Sequence, residues 1–393
     1  MEYITEKLDN GNLVLSVFVD LSKAFDTIDH KILIKKLFNY GIRGTVLKLF
    51  EDYLTNRYQC VAIGDNISSL LQITCGVPQG SILGPVLFIL YINDLSNCVK
   101  VVQILLFADD TTIYLASKDI NNLCQEINNE LKILSDWFAC NKLSINITKT
   151  NCVLFRTSKN KAINSNVNVT LNNMKISCVS NIKFLGIEFD ENLNWKQHIL
   201  SVEKKLASAI GVIGRIRYKL NNYTALLLYD SLILSQLSYC TFIWSSTYKS
   251  ALRKIYLLQK RALKICTLSG KHKGINLFTK FHKLTIYDLN LLQIAKFVYK
   301  SVNDMSPYSS IHHFQEVAVI HHHNTRMNKK LFSKNFKTNI RKFSLSIQGP
   351  ILWNSIPDHI QHAFSLNKFS SLCKQFLQNG CFSSSSALLY STS

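Results

Sequence analysis

The chain has 393 residues and 47% apolar side chains, enough to bury a core and to make two or three domains, which excludes a disordered polymer. Its net charge of +20 is placed unevenly: 18 Lys+Arg face 19 Asp+Glu through Trp195, and 27 face 6 from Lys196 onward. A half with that excess favours a polyanionic partner, nucleic acid first. Eleven cysteines without a CxxC pair argue against a zinc knuckle or a disulfide framework and for reduced thiols in an intracellular protein.

Residues 1–12 are polar and acidic, with no apolar stretch of a secretion signal. Asn12–Asp20 is short and rich in Val and Leu, the pattern of a buried strand. His30–Tyr40 and Gly44–Leu54 have helical spacing, broken by Gly41 and Gly44, and Cys60–Ile63 and Leu71–Cys75 predict short strands around a Gly-Asp-Asn turn. Gly80–Asp94 predicts a buried helix; the apolar run Ser81–Ile92 within it is too short to span a bilayer. Ile104–Leu115 predicts a hairpin turning at an Asp pair, Asn121–Phe138 an amphipathic helix, Leu143–Phe155 a turn and strand, Asn160–Asn173 a loop or hairpin, and Ile182–Phe189 a strand.

Beyond Trp195, helical periodicity with basic outer faces runs through Lys196–Leu220, Tyr223–Ile243, Ala251–Cys266 and Ile286–Val302. Ala225–Trp244 is long enough to cross a membrane, but Asp230 and its polar neighbours make it a buried helix. A region from about 305 to 393 holds a His-rich loop, a Trp-Asn-Ser motif and a Ser-rich tail. His312, His313 and His321–His323 are irregularly spaced with no cysteine nearby, so they read as a loop rather than a zinc site.

The carboxylates carry the chemistry. Asp20 ends an apolar strand, and Asp109 and Asp110 occupy a hairpin turn between apolar runs. Adjacent like charges repel, and a cation removes that cost. One strand-end Asp beside a hairpin bearing a second suits a pair of hard divalent cations, the requirement of nucleotidyl transfer.

Three segments in order decide between readings: VFVDLSKAFD (Val17–Asp26), GVPQGSILGP (Gly76–Pro85) and FADD (Phe107–Asp110). They resemble polymerase motifs A, B and C of reverse transcriptases. KLSINITKT (Lys142–Thr150) is similar to motif D, and FLG (Phe184–Gly186) to the primer-grip motif E. QKRALKIC (Gln259–Cys266) and GPILWNSIP (Gly349–Pro357) resemble the jockey and CR1 group of non-LTR retrotransposons.

The resemblance implies an α+β fold: a right-hand polymerase palm, with an antiparallel sheet and packed helices, followed by a mainly helical basic thumb and C-terminal region. Its expected divisions are a palm over 1–160, a palm-to-thumb segment with the primer grip over 161–195, a thumb over 196–304, and a C-terminal region over 305–393. It further implies an RNA-directed DNA polymerase that uses two Mg2+ ions, with Mn2+ as substitute, an RNA template, a DNA primer and deoxynucleoside triphosphates, acting in the nucleus and not on a membrane. Asp20, Asp109, Asp110 and the Leu21 carbonyl would hold metal, with Lys149 assisting pyrophosphate departure. Phe25, Gln79 and Gly80 would line the nucleotide pocket. Phe184, Leu185 and Gly186 would contact the primer, and Arg215, Arg217, Lys219, Lys260, Arg261 and Lys264 the duplex phosphates.

In that family, fingers and an endonuclease lie upstream of motif A, whereas 19 residues precede Asp20 here. The expectation is a shortened copy with weak or no polymerase activity. The rival reading is a non-catalytic nucleic-acid-binding remnant of a retroelement. Another palm enzyme, such as a group II intron maturase or a nucleotide cyclase, is a third reading, disfavoured by the B, D and FLG segments.

Overall fold

The computed structural model describes residues 1–158, 167–268, 276–306, 314–320 and 330–379. They form two compact units, Gly11–Ile182 and Met1–Asn10 together with Lys183–Ser393. The His cluster at 312–313 and 321–323 and the Ser-rich tail from 380 lie outside the described residues.

Residues 11–182 are built on a five-stranded sheet. Its strands are β1 (Leu13–Val19), β2 (Gln103–Phe107), β3 (Asp110–Ser117), β4 (Asn151–Phe155) and β5 (Ser177–Cys178), in the order β5-β4-β1-β3-β2. All neighbours are antiparallel except the edge pair β5–β4, which is parallel, so the expected antiparallel sheet is a mixed one. β5 lies beyond residue 160, and its pairing ties that segment to the sheet. β1 is central and buried almost throughout, which is why its sequence is apolar at every position but Ser16 rather than alternating.

Helices Glu2–Asp9 (α1), His30–Asn39 (α2), Gly44–Leu54 (α3), Leu83–Ile92 (α4) and Ile120–Cys140 (α5) follow in chain order. Asp29 caps α2, accepting from the Ile32 amide at 2.9 Å, and Asp119 caps α5. Each satisfies donors that a helix N-terminus would otherwise leave open. Leu33 and Leu37 of α2, Leu87, Phe88 and Tyr91 of α4, and Leu123, Ile127, Leu131 and Leu134 of α5 complete one core with the inner face of β1. α4 departs from the expected buried helix: Ile82, at its start, is 90% exposed, and Val86 and Ile89 are also open. Between α3 and α4 the chain makes two short hairpins, Tyr58–Gln59 with Leu71–Gln72 and Ala62–Ile63 with Asn66–Ile67.

The second unit is helical apart from a hairpin that spans the boundary. The expected strand Ile182–Phe189 is instead β6 (Asn181–Phe184) and β7 (Ile187–Asp190), because Leu185 and Gly186 both take positive φ and reverse the chain. Helices α6 (Lys196–Ile216), α7 (Asn222–Tyr229), α8 (Lys249–Thr267) and α9 (Ile286–Val302) follow. The expected Tyr223–Ile243 helix is interrupted: a π-helical stretch occupies Asp230–Leu234, and Cys240 turns the chain with φ +48. α6 packs on α8, and α9 on α10 (Leu345–Trp353) and α11 (Leu366–Gln378). Tyr299 of α9 stacks on Phe369 at 4.4 Å and donates its hydroxyl to the Ala363 carbonyl at 2.6 Å. The region after 330 therefore shares a core with α9. Gln259, fully buried, donates to Tyr229 Oη and the Leu284 carbonyl and accepts from the Ile286 amide. Asn354, in the Trp-Asn-Ser motif, closes a two-way amide bridge with the backbone of Leu331.

α1 belongs to this second unit. Asp9 accepts from the Lys337 and Thr338 amides, and Glu2 accepts from Leu345 and Ser346 at the start of α10. No helix among the described residues is long and apolar enough to cross a membrane.

Candidate active site

The site is assembled at the ends of β1 and β3. Val19 pairs with Thr111, and Phe107 with Asp110, so Asp20, one step past Val19, comes beside the Asp109–Asp110 turn although some ninety residues separate them in sequence. Ala108, at the tip, takes φ +50. Asp110 is exposed at the head of β3. Even so, loss of water around its carboxyl, then Asp109, then Asp20 push its pKa above the usual carboxylate range. Asp110 therefore feels the charge of both other acids through space.

The backbone of Asp20 is clamped from the far side by the Lys142–Thr150 segment. Its amide donates to Thr150 Oγ1 at 3.3 Å, and its carbonyl accepts from the Asn146 amide at 2.8 Å. Leu21 bridges to Ile145. The hydrogen bonds of that bridge come from Asp20 and Ser22, so the Leu21 carbonyl stands outside the pairing. Lys149 is exposed, on a turn whose amide donates to Asn146.

The loop after Asp20 is clasped to the segment that begins at Cys75. The Gly76 amide donates to the Ile28 carbonyl at 2.8 Å, and the Val77 amide to the Phe25 carbonyl at 3.0 Å. His30 Nε2 lies 2.7 Å from the Gly76 carbonyl. Gly76 has φ +84, and a Cβ there would sit 2.8 Å from the Asp26 carbonyl oxygen; only glycine meets both demands. Gln79 is exposed and donates from Nε2 to Asp26 Oδ1 at 2.8 Å. Gly80, with φ +82, turns the chain into open space. The Phe25 ring is half-buried and lies on Phe88 at 4.6 Å, so one face belongs to the core.

Asp29 closes this loop. Lys142 Nζ lies 2.5 Å from Asp29 Oδ2. Burial raises the Asp29 pKa, but the Lys142 hydrogen bond, the amides of α2 and the Lys142 charge together hold it below its usual value. Asp26, Asp29 and Thr150 escaped the sequence reading. Each lies inside or beside a motif segment, but its partner is set by tertiary structure.

In the second unit, Phe184, Leu185 and Gly186 form the tip of the β6–β7 hairpin. Arg215, Lys219, Lys260, Arg261 and Lys264 are exposed. Arg217 departs from the expectation of a phosphate contact. It is 2% exposed, and its guanidinium donates to the carbonyls of Ile265 and Leu220 and to Asn222 Oδ1. Its charge is spent joining the ends of α6 and α8.

Residues 5–189 match the family model described as reverse transcriptase (RNA-dependent DNA polymerase). This segment is a reverse transcriptase domain. The chain is 27% identical over 277 residues to the RNA-directed DNA polymerase from mobile element jockey of Drosophila melanogaster, an alignment covering 67% of this chain and 29% of that protein. It is 24% identical to the probable RNA-directed DNA polymerase from transposon X-element of the same organism, covering 72% and 32%. The chain thus spans about three tenths of these relatives. Among solved structures, apo telomerase from Candida tropicalis aligns with 74% of this chain and 49% of its own, at a TM-score of 0.39 and 12% identity.

Reverse transcriptases generally use divalent cations. Among the described residues no three His, Cys, Asp or Glu side chains form a ready-made ion cage. The donor set nonetheless fits the group: all-oxygen, acidic and self-repelling. Mg2+ commonly takes only one or two protein carboxylates and completes its shell with substrate phosphates and water.

Proposed function

We propose that this chain is the polymerase portion of a non-LTR retrotransposon protein, copying an RNA template from a DNA primer with deoxynucleoside triphosphates. The observation that carries the reading is the coupling of Asp110 to Asp109 and Asp20 at the joined ends of β1 and β3. A binding remnant has no use for an Asp110 carboxylate held beside two further acids at a cost to its charged form, which favours catalysis over that rival.

Asp20 and Asp109, with Asp110 and the Leu21 carbonyl, would hold two Mg2+ ions, or Mn2+ in their place. Metal held there would supply Lewis acidity toward the primer 3′-hydroxyl and positive charge toward the leaving pyrophosphate. The protein's own part is positioning. Thr150 and Asn146 fix the Asp20 backbone, and the Gly76–Ile28 and Val77–Phe25 hydrogen bonds tie the loop bearing Phe25 to the segment that leads into Gln79 and Gly80. Phe25 would block a ribose 2′-hydroxyl, and Lys149, on its exposed turn, would meet the pyrophosphate. Phe184, Leu185 and Gly186 would bear on the primer. Arg215, Lys219, Lys260, Arg261 and Lys264 would track duplex phosphates, giving affinity that falls steeply with salt. Copying at a genomic primer implies action in the nucleus.

Primer extension on an RNA template with Mg2+ tests the reading. Asp109→Asn should abolish synthesis, and Phe25→Val should admit ribonucleotides. Synthesis that survives Asp109→Asn overturns the metal-site assignment.

A further inference from the structure

The hairpin tip at Leu185–Gly186 is held by a distant residue. Leu185 has φ +46 and Gly186 φ +79, the two consecutive left-handed residues of a tight hairpin turn. Asn-Gly or Asp-Gly usually fills such a turn; leucine pays a steric penalty there. The offset comes from Tyr239. Its hydroxyl donates to the Leu185 carbonyl at 2.7 Å across 54 residues of sequence. Its ring lies against the Gly186 backbone, 3.4 Å from where a Cβ would sit, so the ring covers the turn, and the φ of +79 is what favours glycine there.

Tyr239 is itself anchored. Trp244, fully buried, donates Nε1–H to the Tyr239 carbonyl at 2.9 Å, and Cys240 turns the chain immediately after it. The interruption of the Tyr223–Ile243 helix is what brings Tyr239 out to the hairpin. Tyr239 nevertheless stays 52% exposed, so the hydroxyl is committed at an open surface, where core packing does not demand it.

We propose that Tyr239 is a positioning residue for the primer strand: it locks the Leu185–Gly186 turn in the form that presents its backbone amides to the sugar-phosphate backbone near the primer 3′ end. Backbone N–H groups are regular phosphate partners in nucleic-acid complexes. The inference rests on reading Phe184–Gly186 as the primer contact, and it adds the residue that shapes it.

The test uses the full chain and two RNA–DNA duplex probes of the same sequence, one with a recessed primer 3′ end and one blunt. Tyr239→Phe removes only the hydroxyl. It should lower the unfolding midpoint only slightly, speed amide exchange at residues 185–187, and weaken the recessed duplex about fivefold, the worth of one hydrogen bond. Blunt-duplex affinity should not move. Equal losses on both probes, or no change in exchange and recessed affinity, would overturn the proposal. Gly186→Val separates the two layers. If it weakens the recessed probe while Tyr239→Phe does not, the primer contact stands and the role of Tyr239 falls. If neither variant matters, the primer-contact reading fails and takes the inference with it.

Discussion

The amide of Gln79 is oriented by the carboxylate of Asp26, 2.8 Å away. An ionised carboxylate only accepts, so Nε2 must face Asp26, and Oε1 is left to solvent as an acceptor. Asp26 thereby chooses which edge of Gln79 an incoming nucleotide would meet. Asp26→Ala should raise KM for deoxynucleotides several-fold, by the loss of about one oriented hydrogen bond, with a smaller effect on kcat. Steady-state primer extension separates the two; an unchanged KM would show that Gln79 does not need its partner.

Gly76 supports the same clasp by different means. Gly76→Ala forces a side chain into left-handed backbone and places its Cβ against the Asp26 carbonyl at 2.8 Å. Both segments are backbone at the contact, so neither can swing aside. The cost should be about 2–4 kcal/mol, measurable by urea unfolding. Gly80→Ala, equally left-handed but with open space around its Cβ, should cost only about 1–2 kcal/mol.

The carboxylate cluster predicts a linkage between metal, pH and stability. The Asp110 pKa is raised in the folded chain, so the folded state binds that proton more tightly than the unfolded one. Stability from this group is gained as pH falls through the window between the unfolded and folded values, and the charged form is a liability above it. Asp110→Asn should raise the unfolding midpoint in chelator at neutral pH. It should also shrink the stabilisation that millimolar Mg2+ gives the parent chain. A midpoint indifferent to Mg2+ in both chains would argue against a cation at this cluster.

Much of this was legible before the fold. α3 and α9 have the very bounds that their apolar spacing predicts, Gly44–Leu54 and Ile286–Val302; α3 turns one apolar stripe to the core, and α9 is buried on most of its sides. Asp20, Asp109, Asp110 and Gln79 stood out because motif order names them. What failed shares one cause. Leu185–Gly186 lacks the Asn or Asp that usually precedes the glycine of such a turn, and the break at Cys240 is hidden in an apolar run; both depend on Tyr239 and Trp244, which meet them only in three dimensions. Arg217 was placed on an outer helical face by its charge. Counting charge says nothing of burial, and three acceptors, in α8, at Leu220 and at the start of α7, draw it inside.

His198 gives the second unit its own pH response. It is buried against Trp244, ring centroids 5.2 Å apart, and Nδ1 accepts from the Glu188 amide at 3.3 Å, which requires that nitrogen to be unprotonated. Burial lowers its pKa from the ordinary 6.5, with Glu188 opposing. For a base depressed on folding, the unfolded chain binds the proton first. Stability is therefore full above 6.5 and declines as pH falls from there towards the lower folded value. His198→Gln, which keeps an acceptor, should flatten that decline in unfolding followed by the fluorescence of Trp244.

The last prediction concerns Arg341. It is almost fully buried, 3.0 Å from Glu2 Oε2 and 3.7 Å from Glu6 Oε2, and it also donates to Thr5 Oγ1 and the Glu2 carbonyl. Glu2 has a second duty through Oε1, accepting from the Leu345 amide at 2.7 Å. The first residues of the chain thus neutralise a buried cation and cap α10, whose own N-cap residue, Ser344, makes no side-chain cap. Arg341→Met leaves the Glu2 carboxylate facing an apolar stem, and should cost about 3–5 kcal/mol, as expected when one partner of a buried pair is removed. Glu2→Gln alone keeps an acceptor for Leu345 but leaves Arg341 with the more distant, half-exposed Glu6, so it should cost about 1–3 kcal/mol. The double variant holds no orphaned charge between these two and retains the cap. It should be more stable than Arg341→Met alone, so the two changes will not add. If urea unfolding gives costs that simply sum, the ion pair contributes nothing specific, and α1 is held to the C-terminal region by its Asp9 contacts and apolar packing instead.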